Sequence, residues 1–82
     1  MADVNIRFDF RRPADDGLKR QNLSRDDAIN AVNKGGASWQ NTKGDDVIRG
    51  PALDGRPLKI TFIKRGDTLI IIKFVNEITA GG

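Results

Sequence analysis

Cysteine and histidine are both absent from the 82-residue chain. The first absence excludes disulfide stapling. Together they exclude zinc sites of the usual Cys/His kind and any Ser/His or Cys/His nucleophile pair. No run of 18 apolar residues occurs, so nothing reads as a membrane-spanning helix. The opening Met-Ala-Asp-Val-Asn-Ile-Arg lacks the basic-then-apolar plan of a secretory signal. These absences give an expectation of cytoplasmic action without a membrane. There is no Gly-Lys-Ser/Thr, and Gly35-Gly36 follows a helical pattern instead of preceding one, so a phosphate-cradling loop is missing. Asp15-Asp16 and Asp45-Asp46 are adjacent pairs that suit caps and turns, not metal ligation. No metal and no cofactor is expected.

What is present is basic. The formal net charge is +3 and the sequence pI is about 9.7, which favours an anionic partner such as nucleic acid. The charge is spread evenly. Residues 1–41 hold seven Lys and Arg against six acids, and residues 42–82 hold seven against five. The length supports one domain over 1–82, with a core at about 3–76 and a flexible tail at 77–82. A chain of this size buries only roughly 60% of the surface it exposes when unfolded, so its stability margin is narrow.

The densest strand signal is Pro57 to Val75, two β-branched and aromatic runs around Lys64-Arg65-Gly66-Asp67. A three-residue loop Lys64-Arg65-Gly66, pairing Ile63 with Asp67, sorts the faces best. It places Leu58, Ile60, Phe62, Thr68, Ile70, Ile72 and Phe74 on the core side. Lys59, Thr61, Ile63, Leu69, Ile71, Lys73 and Val75 then share a mixed, cationic and apolar side. The plainer reading of the lysines is that their stems cover aliphatic surface.

In chain order, Val4, Ile6, Phe8 and Phe10 alternate with polar residues, as in a half-buried strand. Residues 13–21 suit a short helix, with Pro13 in the first turn, although Gly17 weakens it. Leu23 to Gly35 is a well-marked helix. Ser24 is its N-cap, Asp26 and Asp27 favour the dipole, and Leu23 can staple onto Ala28. Its inward stripe is Ala28, Ile29 and Val32, and Gly35 is the expected left-handed stop. Short strands are expected near Ala37–Gln40 and Asp46–Arg49, with a polar turn at 41–45. Trp39 reads as a core or edge anchor in preference to a stacking platform. The fold class is α+β: one or two N-terminal helices packed on one face of a twisted, mainly antiparallel sheet of about four strands.

The capped helix Leu-Ser-Arg-Asp-Asp-Ala-Ile-Asn-Ala-Val ending at a glycine, the short strand around Trp39 and the strand–turn–strand edged with Lys and Arg together resemble the small bacterial ribonuclease toxins. The likeness, over roughly Gly17 to Val75, is to the barnase, RelE and anticodon-nuclease-colicin type. It implies a metal-independent endoribonuclease toxin domain acting on tRNA or mRNA, with a cognate immunity or antitoxin protein as partner. Many members of that group use a histidine or glutamate base, and this chain has no histidine.

RNA cleavage needs a deprotonated 2′-hydroxyl, a stabilised pentavalent phosphate and a protonated 5′-oxygen. On the mixed face Lys59, Lys73 and Arg7 would hold phosphate, Thr61 would orient it, and Asp9 or a cation-crowded lysine would move the proton. Lys19, Arg20, Arg12, Lys64 and Arg65 would guide the RNA backbone. Two other functions fit the same surface. One is a protein-binding inhibitor or adaptor using Ile63, Leu69, Ile71 and Val75. The other is a nucleic-acid binder without catalysis. The sequence carries no sign of oligomeric state.

Overall fold

A computed structural model describes residues 6–78 of the protein. Seven elements follow one another: β1 (Arg7–Phe10), α1 (Arg12–Arg20), α2 (Arg25–Asn33), β2 (Ser38–Gln40), β3 (Asp46–Pro51), β4 (Pro57–Arg65) and β5 (Leu69–Glu77). The strands form one sheet in the order β1-β5-β4-β3-β2. The α+β class with helices on one face is therefore correct, but the strands number five, not four. β2 through β5 pair antiparallel, while β1 joins β5 in parallel. Parallel pairing requires a crossover, and α1 and α2 lie within the segment that carries the chain across.

Both helices form for local reasons. Pro13 sits in the first turn of α1, with Asp15 near its start and Lys19 and Arg20 near its end. Asn22, at φ 57°, turns the chain out of it. Gly17 has a packing reason: a Cβ there would lie 3.0 Å from the Val75 carbonyl oxygen, so α1 rests directly on the β5 backbone. Ser24 caps α2 in a reciprocal box with Asp27. The Ser24 hydroxyl accepts from the Asp27 N–H, and the Asp27 carboxylate accepts from the Ser24 N–H at 2.8 Å. The other Asp27 oxygen accepts from the Leu53 N–H at 2.9 Å, tying this helix start to the β3–β4 loop. Gly35 takes no left-handed conformation. α2 is capped at Lys34, and Gly35 packs against Ile48.

The core lies between the helices and the sheet. Ala14, Leu18, Leu23, Ala28 and Ala31 meet Leu58, Ile60, Phe62, Ile70, Ile72 and Val75, with Phe8, Phe10, Val32 and Ile48 packed against them. Ala31 replaces Ile29 in the expected stripe of α2. The helix approaches β3 so closely that a Cβ on Gly50 would lie 2.0 Å from the Ala31 carbonyl oxygen. Only small residues fit there, which is why the contact is alanine against glycine.

The β4–β5 hairpin departs from expectation in register. Its three loop residues are Gly66, Asp67 and Thr68, and Arg65 pairs with Leu69. Sliding by four residues keeps the same side chains facing the helices near the turn, so face sorting could not separate the two registers. The observed one keeps Phe74 to Glu77 on the ladder. A bulge then places Lys73 between the pairs Phe62–Ile72 and Thr61–Phe74. Parity on β5 inverts beyond it. Val75 goes under the helices, and Phe74 is left 44% exposed, the reverse of the expected assignment.

β1 covers β5 only as far as Ile72, and α1 occupies the edge beyond. There the Gln21 side chain stands in for a strand. Its Nε2 donates to the Val75 carbonyl at 2.9 Å, and its Oε1 accepts from the Glu77 N–H at 2.5 Å. The strand expected from Val4 begins at Arg7 in the described residues, and residues 1–5 lie outside them. Of the expected tail, Glu77 belongs to β5 and residues 79–82 lie outside the described region.

Candidate nucleic-acid interface

Strand register arranges the helix-free face into four cross-strand rows. The first is Arg49–Lys59–Asn76 and the second is Trp39–Val47–Thr61–Phe74. The third runs through Ile63–Ile71–Asp9, and the fourth is Arg65–Leu69–Arg7. Cations therefore occupy the two ends of the face and apolar residues its middle. Val47, Thr61 and Ile71 are 3%, 8% and 7% exposed although no helix covers them. The middle of this face is a thin second core, not an open apolar patch.

The predicted catalytic residues are not gathered. Thr61 is buried. Lys73, the bulge residue, donates to Asp45 Oδ2 at 3.1 Å and is an ion pair, with Asp45 itself nearly buried. Asp9 is exposed on β1, registered against Ile71. Arg7 stands beside Leu69 and Lys59 beside Asn76, at opposite ends of β5. At about 3.3 Å per residue they are roughly 20 Å apart and cannot hold one phosphate together.

The predicted RNA-guiding residues divide into three places. Arg65 shares the fourth row with Arg7. Lys64 faces the other side and lines a hollow with Ser38, Trp39, Gln40, Asp46 and Phe62. Arg12, Lys19 and Arg20 are exposed on α1, where Lys19 and Arg20 line a hollow with Pro13, Asp16 and Phe74. Sequence reasoning missed Arg49, which directly opposes Lys59. The alternation Val47-Ile48-Arg49 carried that signal. Trp39 is an edge residue, 43% exposed, and is no core anchor.

The ionic bookkeeping is lopsided. Of fourteen Lys and Arg, only Arg25, Arg56 and Lys73 form ion pairs with acids of the described residues, leaving eleven that do not. Five of the acids, Asp15, Asp27, Asp45, Asp54 and Glu77, are used by the scaffold. Asp15 grips Arg25 through two contacts of 2.9 and 2.6 Å, and this hydrogen-bonded fork holds the Asp15 carboxyl below its ordinary range. Arg25 also lies 5.1 Å from the Phe10 ring centroid. The Ser24 N–H is the main cause holding Asp27 low. Arg56 bonds Asp54 and donates to the Gln21 and Asn22 carbonyls at 3.0 and 3.2 Å, closing the end of α1.

Among the described residues no group of three His, Cys, Asp or Glu could hold a metal ion, and no helix is long and apolar enough to cross a membrane. Compared with known proteins, the chain matches no family model, no curated sequence and no solved structure.

Proposed function

We propose that the protein binds single-stranded RNA across the helix-free face of its sheet, as a binding module without cleavage. The observation that carries this reading is the Arg49–Lys59 pair. Like charges directly opposite on neighbouring strands destabilise a sheet. Neither pairs with an acid among the described residues. A bound phosphate would relieve that repulsion. The adjoining row ends in two half-open aromatics, Trp39 and Phe74, of the kind on which bases stack.

The endoribonuclease reading draws on the same surface but needs Arg7, Asp9, Lys59, Thr61 and Lys73 around one phosphate. Their separation, and the engagement of Lys73 with Asp45, favour binding over turnover. The adaptor reading needs Ile63, Leu69, Ile71 and Val75 exposed together. Val75 lies under the helices and Ile71 is buried, so these four residues form no single exposed patch. In the cell an RNA-binding role would place the protein in the cytoplasm.

The test is fluorescence anisotropy with a labelled single-stranded RNA at several salt concentrations. Binding should weaken steeply with salt, with a slope of about −0.7 per phosphate contacted. The Arg49→Gln/Lys59→Gln double variant should flatten that slope by about 0.7, the share of the one phosphate the pair holds, while melting normally. Absence of binding in low salt would refute the proposal. Incubation with total tRNA reads the chemistry directly: intact RNA is expected, and accumulating fragments would reinstate the nuclease.

A further inference from the structure

The hollow between α1 and β5 has a composition that the sheet face alone does not explain. Pro13, Asp16 and Arg20 recur at spacings of three and four along α1, with Lys19 beside them, and Phe74 forms the opposite wall. The inner stripe of the same helix is Ala14, Gly17 and Leu18, all buried, so the outer stripe is fixed facing away from the core. The bulge at Lys73 is what turns Phe74 out beside it. The hollow is a shallow, open groove of about 580 Å³. Small-ligand sites span roughly 300–1,000 Å³.

We infer that this hollow is a subsite for one nucleotide of the bound RNA, whose base stacks on Phe74 while Lys19 and Arg20 hold its phosphate. This rests on the RNA-binding reading and extends it. Asp16 is the informative member. A carboxylate repels phosphate, so its place in a basic hollow suits the N–H donors of a base edge. It accepts from an exocyclic amine, as carboxylates do from cytosine N4. The subsite therefore prefers cytosine to uracil, whose single N–H is flanked by two carbonyl oxygens that repel a carboxylate. The hollow adjoins the second row of the sheet face through Phe74, so one strand can run from Arg49 and Lys59 around the β5 edge onto α1.

The experiment compares eight-residue oligo(C) and oligo(U) by anisotropy, with melting curves for every variant. Wild-type protein should bind oligo(C) more tightly, on the order of three- to tenfold. Phe74→Leu should weaken oligo(C) binding at least about fivefold, the low end for losing one base stack. Asp16→Asn should narrow the preference for oligo(C). Lys19→Gln/Arg20→Gln, on the exposed side of α1, provides a second route that does not touch the sheet. Phe74 also belongs to the sheet face, so Lys19→Gln/Arg20→Gln decides: if it binds within twofold of wild type while Arg49→Gln/Lys59→Gln loses affinity, the subsite is refuted and the sheet-face reading stands. If wild-type protein binds neither oligomer, both fall.

Discussion

The two faces of the sheet are built from the same strands yet are closed in different ways. One is sealed by helices that approach to backbone contact, Gly50 against Ala31 and Gly17 against the Val75 carbonyl. The other is sealed only by its own side chains, which bury Val47, Thr61 and Ile71 in a single layer. Burial is similar, but confinement is not. A side chain held between two layers has nowhere to relax when altered, whereas one under a single layer adjoins mobile neighbours and water.

Ile71 and Ile72 make the sharpest trial of this contrast, since they are neighbours on opposite faces. Ile72→Ala, at a fully buried position, should cost roughly 2–5 kcal/mol in chemical denaturation because transfer and cavity terms both apply. Ile71→Ala should cost about 1–2.5 kcal/mol, close to the transfer term alone. Equal losses would erase the distinction between the faces.

Next in size is Gly50→Ala. The added carbon would press on the Ala31 carbonyl, and backbone cannot swing away as a side chain can. Overpacking of this kind typically costs about 1–3 kcal/mol, and a thermal melt would read it. A neutral outcome would mean that α2 rides on β3 more loosely than its spacing implies.

The smallest effect concerns the α2 cap. The folded pKa of Asp27 lies below its ordinary value of 3.8. Its stabilising contribution is therefore complete above that value and is lost as pH falls through the lower folded pKa. Asp15 behaves in the same sense through its bond to Arg25. Melting temperature should decline in this acid range. Asp27→Asn should cost about 1 kcal/mol at neutral pH, as cap losses do, and flatten the acid decline. An unchanged acid profile would remove Asp27 from the account.

Much of this architecture was legible in the residues, for local reasons. Ser24 with Asp27, Pro13 at the start of α1 and the alternation of Phe8 and Phe10 are signals held within a few positions. The mixed pairing was not legible, because the parallel union of β1 with β5 depends on a crossover and leaves no local mark. The hairpin failed more instructively. Two registers four residues apart bury the same side chains near the turn, and a single extra residue at Lys73 reverses the assignments of Phe74 and Val75. The mixed face was anticipated with the right lysines but the wrong assembly. Spacing along a strand shows that Lys59 and Lys73 share a side, yet it does not reveal that Asp45, arriving from a turn 28 positions away, engages one of them.

The Gln21 amide has a consequence for how copies of the chain meet. Beyond Ile72 the rim of β5 would otherwise be a vacant template on which an extended peptide could zip, a second molecule of this protein foremost. By occupying the Val75 and Glu77 groups, one neutral side chain denies this stretch of β5 to an incoming strand. That protection of the rim comes from the end of α1, not from another strand, through a residue outside the hydrophobic core.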